Sequence, residues 1–191
     1  DSPSATNYAL LLLVLLLTML FGAIVNTSIE RLAYRRLRNA PKLAPLITAV
    51  GMSFVLQWIG LKWIGSNPVN VNTVLPSTSF ELAGVVIAFK TIIIFAITIP
   101  LLIVLAYIVN KTKRGRAMRA TAQDVDASRL MGIDVNQTIT FTFAIAGAAA
   151  GAAGIMWAQT TGTVAYNLGF QLGLIAFTAA VLGGVGNLYG A

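Results

Sequence analysis

The sequence predicts an all-α fold, a polytopic α-helical membrane protein with about five transmembrane helices. Three observations support this prediction. Hydrophobic residues make up 57% of the 191 residues and charged residues only 10%, against about 45–50% and about 25% in ordinary soluble domains. Apolar stretches close to the 20 or so residues needed to cross a bilayer recur five times. The thirteen Lys and Arg residues lie mainly between those stretches.

The five predicted spans follow one another along a single transmembrane domain that occupies the whole chain. The first, around "YALLLLVLLLTMLFGAIV", is the most continuous. The second is diluted by Gln57 and Lys62 and the fifth by the glycines of "VLGGVGNLYGA", so each is either a full span or a re-entrant or broken segment. A bilayer tolerates broken segments only where protein or water covers the freed backbone groups. The predicted spans are residues 8–29, 43–64, 85–109, 139–159 and 172–189.

The positions of the basic residues predict the orientation. Residues 30–42 contain five Lys and Arg and residues 110–138 contain six. Since cytoplasmic loops hold the excess of such residues, both loops are predicted to be cytoplasmic, and residues 1–7 and 65–84 to lie outside. Lys62 and Lys90 flank the outer loop, where their long side chains are expected to reach the interface.

The polar segment "GRAMRATAQDVDASRLMGID" lies in the second of these cytoplasmic loops. Met118, Ala122 and Val125 repeat at i, i+4 and i+7, as on one face of a helix. Either Asp124 or Asp126 can cap its start. The spacing predicts a short helix in this segment.

Gly132 is placed to end that helix near Met131 in the left-handed conformation. Val125, Leu130 and Met131 are too few to insert into a membrane and are surrounded by polar residues. They suit a groove on another protein better.

The segment "GAAAGAAG" places small residues inside the fourth span. Gly147 and Gly151 have the G-x-x-x-G spacing and Gly154 lies about one turn further. Such small faces let membrane helices approach closely. They predict helix packing, or else a wall of a substrate path that slides between two states.

A few uncharged polar residues lie at membrane depth. Ser53, Gln57, Thr178 and Asn187 are candidates to line a path through the membrane. The alternative is that each forms a hydrogen bond with a neighbouring helix, because an unpaired polar group in hydrocarbon is costly.

Several kinds of chemistry are excluded or disfavoured by the composition. The chain has no Cys and no His, which removes disulfides, thiol chemistry and the commonest metal ligands. It has no G-x-x-x-x-G-K-[ST] phosphate-binding loop, and no Asp, Glu or Arg at mid-span to suggest a proton relay. The net charge of +7 does not indicate nucleic acid, since most of the surface must face lipid. We expect no cofactor, no metal and no catalytic residue.

One motif carries a resemblance to a known family. "DASRLMG", residues 126–132, resembles the E-A-A-x-x-x-G core of the cytoplasmic loop of bacterial ABC importer permeases. Asp126 lies in the glutamate position, Ala127 and Ser128 lie in the alanine positions, and Gly132 is the glycine. The blocks "ERLAYRRLRNAPKLAPLITAVGMSFVLQ", "FAIAGAAAGAAGIMWA" and "AFTAAVLGGVGNLYGA" resemble, in this order, the H-type permease subunit of branched-chain amino-acid ABC transporters.

This resemblance implies a transport subunit of the bacterial inner membrane rather than an enzyme. The loop of Asp126, Ala127, Ser128 and Gly132 would couple the spans to ATP hydrolysed by a separate subunit. The implied partners are a second permease, two cytoplasmic ATPases, an extracytoplasmic solute-binding protein and membrane lipid. Since the family carries further helices at both ends, the chain is expected to be a fragment.

Other functions stay open at this point. Permeases of the same fold move urea, short amides or simple sugars, and the residues do not separate these cargoes. An ion-coupled carrier would transport without an ATPase, and a structural scaffold would not transport at all.

Overall fold

The computed structural model describes residues 5–37, 40–41, 44–71, 79–82 and 85–184, and most of these residues are helical. Seven α-helices follow one another: α1 (Ala5–Leu32), α2 (Ala44–Ile64), α3 (Phe89–Lys111), α4 (Lys113–Gln123), α5 (Val125–Leu130), α6 (Val135–Thr161) and α7 (Leu168–Gly183). A 3₁₀ turn, Tyr34–Leu37, follows α1. Four short strands complete the described elements: β1 (Val69–Asn70), β2 (Ser79–Leu82), β3 (Val85–Ala88) and β4 (Thr163–Val164).

In the part of the chain that the structure describes, four helices are long and apolar enough to cross a membrane. They are α1, continued by the 3₁₀ turn, together with α2, α3 and α6. The fifth apolar helix, α7, has 16 residues and at 1.5 Å per residue is about 24 Å long, short of the roughly 30 Å hydrocarbon core. It ends at Gly183, at the start of the glycine-rich stretch that predicts a break. The helical membrane fold with about five apolar helices is confirmed.

Two boundaries differ from the predicted spans. Residues 85–88 form the strand β3, which pairs with β2 in an antiparallel hairpin, instead of starting the third span. The run Val85, Val86 and Ile87 is β-branched, and such residues favour extended backbone. At the fourth span, α6 begins at Val135, because Asp134 caps it by accepting a hydrogen bond from the Gln137 N–H at 3.0 Å.

The predicted single helix of the polar segment is divided at Asp124. Met118 and Ala122 belong to α4, and Val125 is the first residue of α5. The three residues therefore do not share one continuous helical face. The end of the second helix near Met131 is confirmed.

Helices α1 and α6 form the most extensive helix pair in the described chain, and they run antiparallel. Gly22 faces Gly147, and Gly151 faces Thr18, so closely that a Cβ atom added at any of these glycines would clash with a backbone carbonyl oxygen. Gly147 is buried. The missing side chains let the two backbones approach, as small residues do in membrane helix pairs.

The line of contact between α1 and α6, here called the α1–α6 seam, continues with polar contacts toward the C-terminal end of α1. Asn26 Nδ2 donates a 2.7 Å hydrogen bond to the Phe143 carbonyl. One turn further, Glu30 Oε2 accepts from the Thr140 hydroxyl at 2.9 Å. Glu30 was expected in the loop of residues 30–42, but it lies in the last turn of α1 and is fully buried. Helix α6 covers the Glu30 side chain, and the sequence of the loop does not indicate this contact.

The two ends of the helical bundle differ in charge. One end, here called the basic end, contains the C-termini of α1 and α3, the 3₁₀ turn, α4, α5 and the N-terminus of α6. Its described basic residues are Arg31, Arg35, Arg36, Lys111, Lys113, Arg114, Arg116, Arg119 and Arg129. The opposite end contains the antiparallel pair β1–β4, and there Lys90 Nζ donates to the Thr160 carbonyl at 3.2 Å.

Helices α2, α3 and α7 contain no buried residue within the described chain. Phe54 of α2 and Phe170 of α7 meet with ring centroids 5.4 Å apart. Most of the apolar surface of α2, α3 and α7 is therefore available to lipid or to another polypeptide.

Candidate functional site

The connection between α3 and α4 at the basic end is a tight corner built around Thr112. Its hydroxyl donates to the Ile108 carbonyl at 2.5 Å and accepts from the Gly115 N–H at 3.0 Å, so one side chain ends α3 and caps α4. Gly115 is buried, and a Cβ atom there would clash with the carbonyl oxygens of Ile108 and Val109. The corner therefore requires glycine at this position.

Arg119 fastens the same corner from the next turn of α4. Its Nη1 lies 3.0 Å from the Val109 carbonyl oxygen and 3.2 Å from that of Asn110. A cation at the C-terminal carbonyls of a helix is favoured by the helix dipole. Thr112, Gly115 and Arg119 thus act together to fix the angle between α3 and α4.

Asp124 separates α4 from α5 and caps the second of them. Its Oδ1 accepts from the N–H groups of Asp126 and Ala127 at 2.9 and 3.0 Å. Its carbonyl accepts from the Ser128 hydroxyl at 2.7 Å. Of the two predicted N-cap candidates the structure selects Asp124, while Asp126 pairs with Arg129 at 3.2 Å.

The end of α5 is fixed by a Schellman motif centred on Gly132. The Ile133 N–H donates to the Ser128 carbonyl and the Gly132 N–H to the Arg129 carbonyl, both at 3.0 Å. These are the two hydrogen bonds that define the motif. Gly132 has φ +80°, so its predicted left-handed conformation is confirmed.

Helix α5 presents a small apolar face to its surroundings. Ala127, Leu130 and Met131 are three and four residues apart, the spacing of one helical face, and all are exposed, Leu130 by 88% and Met131 by 83%. Ser128 is buried on the inner side. The predicted residues Asp126, Ala127 and Ser128 thus lie in one short helix, with Ala127 at its surface, and Gly132 lies in the turn that ends this helix.

A groove of about 600 Å³ opens beside α5, between the end of α1, α4 and the first turns of α6. Arg31, Arg35 and Arg114 line it, together with Asp134. Ala117, Ile133, Phe141 and Ala144 provide an apolar wall. The groove brings together arginines from the two predicted cytoplasmic loops.

Comparison with known proteins decides the family. Residues 4–191 match the family described as "Branched-chain amino acid transport system / permease component". The chain belongs to this permease family.

Individual permeases give the same assignment. The chain is 39% identical to the high-affinity branched-chain amino acid transport system permease protein BraD of Pseudomonas aeruginosa over 86% of the chain and 55% of that protein. It is 36% identical to the corresponding protein LivH of Escherichia coli K12 over 89% of the chain and 58% of that protein. Its identity to the autoinducer 2 import system permease protein LsrC of Escherichia coli HS is 28%, over 78% of the chain and 42% of that protein.

The permease chain spans a little over half the length of the amino-acid permeases that it matches. No solved structure shows a significant match to it. Its family and its apolar helices make it a multi-pass protein of the bacterial inner membrane.

The predicted path residues of the permease are not gathered into one cluster by their described contacts. Ser53 and Thr178 donate to carbonyls of their own helices, those of Ala49 and Ile175, at 2.9 and 2.8 Å. Within the described residues these two hydroxyls donate to their own helices and not to a neighbouring one. Gln57 lies one turn from Ser53, and its buried Nε2 has no partner among the described residues. Asn187 lies outside the described residues.

The predicted packing glycines of the permease divide into two groups. Gly147 and Gly151 lie in the α1–α6 seam, whereas a Cβ atom added at Gly154 would meet nothing within 4 Å. Gly154 therefore packs against no part of the described chain.

The α1 side of the seam was missed by the sequence reasoning. Thr18, Gly22, Asn26 and Glu30 recur every four residues, which places them on one helical face. This row of small and polar residues along an otherwise apolar span was the signal that could have identified the face of α1 that contacts α6.

Proposed function

We propose that the chain is the membrane-spanning part of a permease subunit in an ATP-driven importer of branched-chain amino acids. The family supports this proposal. So does the order of the identities, since the amino-acid permeases reach 36–39% and the autoinducer 2 permeases 28–30%. Residues 1–191 form one transmembrane domain in this proposal, and a separate subunit hydrolyses the ATP.

The exposed apolar face of α5 is the observation that carries the mechanism. This six-residue helix leaves Leu130, its last residue, and Met131, its C-cap residue, exposed, so its own chain stabilises it poorly, yet Asp124 and the Schellman motif at Gly132 hold it at both ends. Such a rigid surface fits a groove on a partner protein. We assign Asp126, Ala127, Ser128 and Gly132 to the loop that contacts the ATPase.

The corners on either side of α5 would transmit movement of the ATPase to the spans. On one side, Thr112, Gly115 and Arg119 fasten α4 to the end of α3. On the other, only Ile133 and the capping residue Asp134 separate the Schellman glycine from α6. A displacement of α5 would therefore move the transmembrane helices α3 and α6 with it, as rigid-body switching requires.

The proposed orientation places the basic end in the cytoplasm and residues 65–84 outside. Eleven of the thirteen basic residues support it, by the positive-inside rule. The cytoplasmic partners would be two ATPase subunits and the outer partner a solute-binding protein, while a second permease would cover exposed membrane faces. Ser53, Gln57, Thr178 and Asn187 remain our candidates for the translocation path, and the Nε2 of Gln57, which has no partner among the described residues, is our candidate donor for a carboxylate.

Substitution of Ala127 tests this function directly. In the full-length permease, Ala127→Trp adds bulk to the exposed face of α5 and should abolish ATPase co-purification and reduce amino-acid uptake, while the protein remains inserted. Ala127→Ser keeps the size nearly unchanged and serves as the matched control. Wild-type co-purification and uptake with Ala127→Trp would show that α5 is only a connector.

A further inference from the structure

We propose that the groove of Arg31, Arg35 and Arg114 binds the headgroup phosphate of an anionic phospholipid, which bridges α1 to α4. The three arginines belong to α1, the 3₁₀ turn and α4. Residues more than 75 positions apart in the chain thus meet around one cavity. The inference rests on the membrane-spanning fold and does not depend on the cargo or on the ATPase.

The charge balance of the groove favours an anion. Among the described residues Asp134 is the single acidic one that lines the groove, and its Oδ1 accepts from the Gln137 N–H as the cap of α6. Within the described part of the chain, Arg31 and Arg35 form no ion pair with a carboxylate. A phosphate accepts paired hydrogen bonds from arginine, which is why arginine is common at phosphate sites.

Arg114 is already oriented for such a role. Its guanidinium carbon lies 4.5 Å from the centroid of the Phe141 ring. This cation–π contact holds the guanidinium beside the ring face through the ring quadrupole, and the guanidinium N–H groups can still donate to an anion. One phosphate in the groove could then bind arginines on both sides of the cavity.

The position of the groove favours a lipid over a free anion or an acidic protein segment. Helix α1 has 28 residues, about 42 Å at 1.5 Å per residue, so its last turn extends beyond a hydrocarbon core of about 30 Å. Since the sequence before Arg31 contains no Lys or Arg, we expect Arg31 and Arg35 to be the residues that reach headgroup level. The neighbouring Leu32 is 70% exposed, and the groove wall of Ile133, Phe141 and Ala144 is apolar. A ligand with both a phosphate and hydrocarbon matches these surfaces.

A zwitterionic lipid would satisfy the site less well. Phosphatidylcholine places a quaternary ammonium beside its phosphate, and three arginines repel that charge. Each arginine that contacts the headgroup contributes about a fivefold preference for anionic lipid, and a basic residue that does not contact it contributes less because solvent and salt screen its charge. We therefore expect selection of phosphatidylglycerol over phosphatidylcholine.

The test is lipid binding to the purified full-length permease in detergent. Dioctanoyl-phosphatidylglycerol, dioctanoyl-phosphatidylcholine and inorganic phosphate are titrated separately, and bound lipid is counted by native mass spectrometry. Arg35→Gln/Arg114→Gln should weaken phosphatidylglycerol binding about 25-fold. The control Arg36→Gln/Arg116→Gln removes the same charge from the same two segments without touching the groove, and should change binding less than twofold.

Two further measurements keep the result interpretable. Thermal unfolding without lipid shows whether the groove variant is folded, and Arg35→Lys/Arg114→Lys retains the charge but not the paired hydrogen bonds, so its binding should be intermediate. Equal binding of both lipids, or equal loss in the groove variant and the control, overturns the proposal. Inorganic phosphate that competes as well as phosphatidylglycerol at equal concentration would show an anion site that does not select lipid. Loss of the ATPase with unchanged lipid binding would show a protein contact. Both outcomes overturn it.

Discussion

The hydroxyl of Thr140 on α6 lies 2.9 Å from the carboxylate of Glu30 on α1, and that carboxylate is fully buried. The same hydroxyl lies 3.0 Å from the Asn136 carbonyl of its own helix. A buried carboxylate needs donors, because an unsatisfied charged group in the protein interior is costly. Thr140 therefore joins α1 and α6 at the polar end of their seam, beyond the part where glycines form the contact.

Removal of this donor should destabilise the permease. We expect Thr140→Val, which keeps the shape of the side chain, to lower the free energy of unfolding by about 1–2 kcal/mol. Thr142→Val is the matched control, because the Thr142 hydroxyl is exposed and donates to its own helix at the Thr138 carbonyl. Thermal unfolding in lipid nanodiscs compares the two variants. Equal melting temperatures would remove Thr140 from the set of residues that hold α1 to α6.

The glycines of "GAAAGAAG" should respond differently to a single added methyl group. Gly151→Ala places its Cβ against the Thr18 backbone and should cost about 1–3 kcal/mol, the usual penalty of overpacking. Gly154→Ala meets open space and should be neutral or stabilising, since alanine favours helix by up to about 1 kcal/mol. Folded yield and melting temperature measure both. A loss at Gly154 as large as that at Gly151 would contradict the seam.

Gly132 should tolerate asparagine better than valine. Its φ of +80° is accessible to Asn at small cost, whereas a β-branched residue there is strained by about 1–3 kcal/mol. A Cβ atom at Gly132 meets no other described atom within 4 Å, so the difference reports backbone strain rather than crowding. ATPase co-purification and amino-acid uptake should fall in Gly132→Val and be largely retained in Gly132→Asn. The reverse order would show that the Schellman motif does not control α5.

The proposed orientation predicts the side from which single cysteines are labelled. Because the chain contains no native cysteine, Gln123→Cys at the end of α4 and Asn70→Cys in β1 can each be introduced alone. Both positions are exposed. A membrane-impermeant maleimide should react with Gln123→Cys only from the cytoplasm and with Asn70→Cys only from outside. Reaction of Asn70→Cys from the cytoplasm would invert the orientation and remove α5 from contact with an ATPase.

The parts of the fold that depend on local sequence were predictable. Apolar runs of about 20 residues locate the membrane helices, since span length is set by bilayer thickness. The left-handed Gly132, and an N-cap at one of Asp124 and Asp126, follow from residue types within a few positions of each other. These features need no knowledge of what the helix packs against.

The features that depend on distant residues were not predictable in the same way. The burial of Glu30 is produced by Thr140, 110 residues further along the chain, and the environment of Gly115 is produced by the carbonyls that end α3. The start of β3 at Val85 was hidden because β-branched apolar residues suit both a membrane helix and a strand. Gly154 shows the converse error, because the spacing of small residues indicates a packing face but not which of those residues a neighbouring helix contacts.

The long sequence separation across the α1–α6 seam has a consequence for biosynthesis. Ribosomes add about 5–20 residues per second, so the 110 residues between Glu30 and Thr140 take roughly 5–22 s to appear. During that interval α6 is not yet synthesised, so Gly22, Asn26 and Glu30 of α1 lack the helix that contacts them in the folded protein. An insertase that covers these polar residues of α1 until α6 is synthesised would act as a temporary partner.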